Sequence, residues 1–181
     1  MPSSPPFRQQ FVRHFEGGNA LSPFRAEALL KRLQGAAPRI ASVTARHVHW
    51  AAFDGEPDRA TLDKLEGLLA YGEPAPGTGK DEGELVVVMP RLGTVSPWAS
   101  KATDIARNCG LQLHRVERTV EYRLTLEKRL LGAARPLDPN ERQALAALLH
   151  DRMTESVAFE RPAAAHLFDP QPAPALAHVD V

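Results

Sequence analysis

The sequence predicts an α+β fold in which two βαβα halves pool their strands into antiparallel sheet packed against helices. Short apolar runs typical of strands alternate with runs of helical periodicity along the 181 residues. Ser22-Pro23-Phe24 and Ser96-Pro97-Trp98 both begin a predicted helix, and the same order of elements surrounds each. Each half leaves an apolar helix face that it cannot cover alone. We therefore expect a pseudo-twofold dimer within one chain.

The first predicted half covers about residues 7–71. Residues 7–15 mix aromatic and polar side chains as a strand does, and Gly17-Gly18-Asn19 is predicted to close that strand with a turn. A helix is predicted from Ser22-Pro23 to about Gln34, because a capping hydroxyl precedes a proline at the first helical position. Its predicted apolar face consists of Phe24, Ala28, Leu29, Leu30 and Leu33. Residues 40–53 alternate as a second strand, and leucines at helical spacing predict a helix over residues 59–71.

The second predicted half covers about residues 84–150. The apolar run at residues 84–90 predicts a strand buried on both faces. The helix that begins at Ser96 has an apolar face formed by Trp98, Ala102, Ile105, Ala106 and Cys109, and Gly110 is predicted to cap it. Residues 114–126 are a partly polar strand, and Asp138-Pro139-Asn140-Glu141 is a capping box for the last helix.

The remaining segments are predicted to be loops or an arm. The loop between the halves, GEPAPGTGKDEG, resembles a phosphate-binding loop at Gly77 to Lys80, but Pro74 and Asp81 stand where that motif requires Gly and Ser or Thr. It is interpreted as a Gly/Pro turn. Residues 1–151 are predicted to form one domain. Residues 152–181, rich in Pro and Ala without a sustained period, are interpreted as a linker or an arm that lies on something else.

Composition argues against several functional classes. The chain has 22 basic and 22 acidic residues, so it lacks the excess positive charge of a dedicated nucleic-acid binder. No apolar run approaches the roughly 20 residues of a membrane span. One cysteine, Cys109, excludes an internal disulfide, and residues 1–12 resemble no secretory leader, so a cytoplasmic location is expected. His47 and His49 share a strand face, but without a third ligand nearby they predict no metal site.

Residues 90–111, PRLGTVSPWASKATDIARNCGL, closely resemble the signature of the amino-terminal domain of the large single-chain phosphoribosylformylglycinamidine synthases of purine biosynthesis. Residues 20–25 (ALSPFR) and 148–155 (LLHDRMTE) agree with it. The resemblance implies a domain similar to two copies of the small PurS subunit, followed by a linker domain, a synthetase core that uses ATP and Mg²⁺, and a glutaminase. It also implies that this chain is a catalytically inactive fragment without a cofactor of its own.

The role implied by the resemblance is scaffolding, which holds glutaminase and synthetase together and helps shape the path of ammonia. Our hypothesis is that the loop from Thr94 to Lys101, which we call the signature loop, docks on the synthetase core. The candidate docking residues are Thr94, Ser96, Trp98, Ser100, Lys101 and Asp104, with Lys101 and Asp104 at the contact. The simpler interpretations are that Trp98 is a core residue and that Ser96 only caps its helix.

Two other functions are open at this stage. One is a stand-alone sensor of the α+β sandwich type, which would bind a small molecule between its halves. The other is a free-standing enzyme that uses Lys101, His114 or His150, although the sequence contains no recognisable pair of base and nucleophile.

Overall fold

A computed structural model describes residues 10–75, 83–127 and 134–170. Its elements alternate in the predicted order. They are β1 (Phe11–Asn19), α1 (Pro23–Ala36), β2 (Ile40–Phe53), α2 (Arg59–Leu69), β3 (Glu84–Pro90), α3 (Pro97–Asn108), β4 (Arg115–Leu126), α4 (Pro139–Leu149), β5 (Glu155–Ala158) and a 3-10 helix (Arg161–Phe168). The Gly77 to Lys80 segment lies outside the described residues, as do residues 7–9 and 171–181.

The strands form one five-stranded antiparallel sheet in the order β1-β2-β4-β3-β5. Each half contributes one antiparallel pair, β1 with β2 and β3 with β4. The two halves join where β2 pairs with β4 over most of its length, with His49 opposite Arg118. The predicted α+β class and the pooling of strands from both halves are confirmed.

The four α-helices pack on one face of the sheet in two pairs. Leucines of α1 and α4, among them Leu33 and Leu145, cover an aliphatic cluster that includes Val43, Val86 and Leu124. Leucines of α2 and the small residues of α3 cover a second cluster formed by the other ends of β2 and β4, with Phe53 and Val116 in it. The two ends of one sheet face are therefore buried under separate helix pairs.

The 3-10 helix covers the opposite sheet face. Leu167 and Phe168 pack there against Trp50 and Val87. Arg161, at the start of this helix, donates to both carboxylate oxygens of the buried Glu121 at 2.6 and 2.7 Å. The sequence predicted no element after Asp151. The structure instead adds β5 to the edge of the sheet, so residues 155–168 of the predicted arm lie on the domain itself.

Several expectations within the halves are wrong. The Ser22 hydroxyl makes no cap bond to α1, and Ala28, predicted on the apolar face of that helix, is exposed. The strand β1 does not turn at Gly17 but continues to Asn19, with an irregular register between Glu16 and Asn19. Phe24 and Ile105, predicted on inward helix faces, are 82% and 57% exposed. Helical periodicity predicts an inward position for both residues. Other aliphatic side chains fill the two clusters, so Phe24 and Ile105 remain exposed.

Helix ends follow the predicted cap chemistry in α4, where Asp138 and Glu141 form a reciprocal capping box. In α2 the side chain of Asp58 accepts from the Thr61 N–H at 2.8 Å. Among the described residues, every helix is too short or too polar to cross a bilayer.

Candidate functional site

The predicted docking residues lie in the loop after β3 and in the first two turns of α3. Four of them have exposed side chains, and these are Thr94, Ser100, Lys101 and Asp104. Ser96 and Trp98 are half-buried, because they face the sheet. The six residues therefore divide into an inner pair, which fixes the start of α3, and an outer set that solvent reaches.

Ser96 is the cap of α3, and it also binds a buried carboxylate. Its hydroxyl accepts from the Ala99 N–H at 3.0 Å and donates to Glu117 at 2.9 Å, while its own N–H donates to the other oxygen of Glu117 at 3.1 Å. Glu117 is completely buried. The positive end of the helix dipole is thus already matched by an internal anion, which supports the capping interpretation of Ser96.

Trp98 lies over a polar pair in the centre of the sheet. Its ring stacks on His49 with 5.4 Å between centroids, and the Arg118 guanidinium carbon is 4.9 Å from the indole centroid. His49 and Arg118 are direct cross-strand neighbours. Tyr71, just after α2, completes the group, because its hydroxyl is 2.9 Å from His49 Nε2. We call His49, Tyr71, Trp98 and Arg118 the Trp98 cluster.

Burial decides the charge state of the histidines near this cluster. Burial, and then the positive charges of His47 and Arg118, lower the pKa of His49 to about 4. Burial also lowers the pKa of His47, with Arg118 acting in the same direction. As expected from their spacing, the two histidines share a face. The structure places no cluster of three metal-ligating side chains in the ranges that it describes.

The ring of His49 fits because β1 contains Gly17 at that point. A Cβ on Gly17 would lie 2.6 Å from His49 Cε1 and 2.8 Å from the His47 carbonyl oxygen. The irregularity in β1 therefore brings backbone, without a side chain, against the buried imidazole. Sequence reasoning took Gly17 for a turn residue and missed this role.

Two cavities flank Trp98. The larger, of about 520 Å³, which we call the Arg118 cavity, is bounded by the signature loop, β4 and the segment before β5. It is lined by Val88, Met89, Pro90, Arg91, Thr94, Val95, Ser96, Pro97, Trp98, Arg118, Val120, Met153, Thr154 and Glu155. The smaller, of about 320 Å³, lies between α2 and α3 and has a mainly apolar lining that includes Leu68, Ile105 and Lys101. Both are open to solvent, so the region around Trp98 offers apolar recesses with basic groups beside them.

The three residues considered for catalysis do not come together within the described ranges. Lys101, His114 and His150 lie on α3, before β4 and at the end of α4, and in the part of the chain that the structure describes none of them hydrogen-bonds to another. Cys109 is at the end of α3, with its backbone N–H bonded to Ile105. The arrangement can hold the start of α3 rigidly and present apolar and basic side chains to a neighbouring domain.

Residues 46–168 match the family described as formylglycinamide ribonucleotide amidotransferase N-terminal. The matched range begins in β2 and ends with the 3-10 helix, so it includes the Trp98 cluster and both cavities. It covers well over half of the 181 residues.

Proposed function

Because this chain belongs to the family of formylglycinamide ribonucleotide amidotransferase N-terminal domains, we propose that it serves as a non-catalytic scaffold that couples glutamine hydrolysis to amide transfer. In this proposal the domain holds the glutaminase and the synthetase core in place and helps shape the passage of ammonia between them. The family match favours this function over a stand-alone small-molecule sensor. The enzyme as a whole belongs to purine biosynthesis.

The observation that carries the proposal is the exposed apolar surface around Trp98. Monomeric proteins rarely leave large apolar side chains grouped in one region unless another surface covers them. Leu92 and Val95, between β3 and α3, are 44% and 53% exposed, and Ile105 on α3 is 57% exposed. Leu68 and Tyr71, which border the α2–α3 cavity with Ile105, are also exposed. The surface therefore has the composition of an interface.

The proposed partners are the linker domain, the synthetase core and the glutaminase of the same enzyme. ATP and Mg²⁺ would be used in the synthetase core, since the reaction is an ATP-dependent ligation. In this proposal the described residues of the domain provide a rigid surface with exposed contact groups. None of them is proposed to bind ATP or a metal ion. A cytoplasmic location is proposed from the pathway.

The test uses the full-length synthase that carries this domain, with Trp98→Ala and Lys101→Ala made separately. The rate with glutamine is compared with the rate on free ammonia. Coupling predicts a loss of the glutamine-dependent rate while the ammonia-dependent rate is retained. Lys101 is exposed, so its substitution tests the contact without disturbing the fold. Lys31→Ala is the matched control, because Lys31 is an exposed lysine on α1 whose side chain pairs with Glu27 of its own helix.

Equal loss of both rates would show that the domain supports the synthetase fold and not the coupling. No effect from either substitution would refute the assignment of the signature loop to docking. A loss with Lys31→Ala as large as with Lys101→Ala would also count against it.

A further inference from the structure

The Arg118 cavity contains more positive charge than its own residues neutralise. The half-buried Arg118 and the exposed Arg91 both line it, whereas Glu155 is the one carboxylate in its lining. One oxygen of Glu155 already accepts from the Asp151 N–H at 2.8 Å. From this imbalance we infer that the Arg118 cavity is a docking site for a carboxylate-bearing segment of the synthase outside this domain. The inference rests on the proposed function.

Arg118 differs in its partners from three other half-buried arginines of this domain. Arg39 pairs with Glu141 at 2.6 Å, Arg142 with Glu84 at 2.9 Å and Arg161 with Glu121 at 2.6 Å. In the described ranges no carboxylate lies within 4.0 Å of Arg118. Its nearest polar side-chain contact is the Tyr71 hydroxyl at 3.4 Å, which is long for a hydrogen bond. A half-buried guanidinium is best stabilised by a planar anion, which it can bind through two parallel hydrogen bonds.

The geometry holds the guanidinium ready for such an anion. Trp98 lies against Arg118 and restricts its side chain. His49, the cross-strand neighbour, stays uncharged at neutral pH because burial lowers its pKa to about 4, so it competes for no anion. The partly apolar walls strengthen an ion pair relative to one in open water. Arg118 is therefore already positioned for its partner, which reduces the entropy lost on docking.

The rim of the cavity specifies the remainder of the occupant. Met153 is 75% exposed and Val95 is 53% exposed, and both line the cavity. A segment that fits this surface carries an Asp or Glu side chain for Arg118 with apolar residues on either side of it. Docked in this way, it would cover the exposed methionine and valine and neutralise the guanidinium in one contact.

Zero-length crosslinking of the full-length synthase tests the assignment. In an Arg118→Lys variant the amine takes the place of the guanidinium, and a water-soluble carbodiimide then condenses it with any carboxylate at ion-pair distance. We expect mass spectrometry to find position 118 joined to one Asp or Glu beyond residue 181. A circular dichroism spectrum and a thermal unfolding curve that match those of the unsubstituted synthase verify that the variant is folded.

An Arg59→Lys variant is the matched control. Arg59 is exposed on α2 and pairs with Asp63 at 2.8 Å, so its amine should crosslink to Asp63 and prove that the reagent works. Failure to crosslink position 118 while this control reacts would overturn the inference, and so would crosslinking to Glu155 alone. The result is independent of the rate comparison that tests coupling. A crosslink without a change in the glutamine-dependent rate would retain the docking site and reject its part in coupling.

Discussion

The two halves of the molecule begin their first helices with the same local sequence and use it differently. Ser22-Pro23-Phe24 and Ser96-Pro97-Trp98 both place proline in the first turn. Ser96 caps α3 through its side chain and binds Glu117, whereas Ser22 makes no side-chain cap bond. Trp98 lies on His49 and Arg118, while Phe24 is 82% exposed. A local motif thus specifies where a helix begins, and the sheet beneath decides what its aromatic residue does.

The largest effect that separates the halves is expected from removing the two aromatic residues. Trp98→Ala should lower the free energy of unfolding by about 3 kcal/mol, because it leaves a void over His49 and removes the contact with Arg118. Phe24→Ala should change it by less than about 0.5 kcal/mol, since the side chain is already in water. Urea unfolding of both variants measures the difference. Equal losses would mean that Phe24 packs as Trp98 does and that the halves are equivalent.

The two serines should differ next. Ser96→Ala removes a helix cap, which is worth about 1 kcal/mol, and it also removes a partner of the buried Glu117, which costs about 1 kcal/mol more. Ser22→Ala removes no side-chain cap bond, so we expect almost no change. Thermal unfolding of the pair provides the check, and a Ser22→Ala loss as large as that of Ser96→Ala would contradict the asymmetry.

Sequence patterns predicted elements better than they predicted contacts. The eight predicted elements of the two halves form in order, because caps, proline positions and apolar periodicity are local signals. The fifth strand and the 3-10 helix were missed, since both depend on the edge and the face that the rest of the sheet offers. A four-residue strand such as Glu155–Ala158 has too short a pattern to stand out in a proline-rich segment.

The candidate site shows the same division. The signature loop and the cap at Ser96 could be predicted from adjacent residues. The Trp98 cluster could not, because its members come from β2, the end of α2, α3 and β4, and only the register of β2 with β4 sets His49 beside Arg118. The role of Gly17 could not be predicted for a related reason, since its contact with His49 is between β1 and β2.

The polar group under Trp98 should make the end of the sheet that α2 and α3 cover the acid-sensitive one. The unfolded chain binds a proton at His49 below about pH 6.5, whereas the folded chain does so only near pH 4. Stability is therefore present above pH 6.5 and falls as pH decreases toward 4. We expect a loss of about 1–2 kcal/mol between pH 7 and pH 5. His49→Phe should flatten this dependence in urea unfolding, and an unchanged slope would show that His49 is not responsible.

Within the Trp98 cluster, the smallest effect is expected at Arg118. Arg118→Gln removes a cation–π contact with Trp98, which is worth about 0.5–1 kcal/mol at a partly exposed position. In a Trp98→Ala background the same substitution should cost almost nothing, so a double-mutant cycle isolates the contact. A loss above about 2 kcal/mol would mean that the guanidinium is a structural group of this domain. The small expected loss of stability leaves the charge of Arg118 available for a partner, because a side chain that contributes little to the stability of its own domain can form its hydrogen bonds with another one.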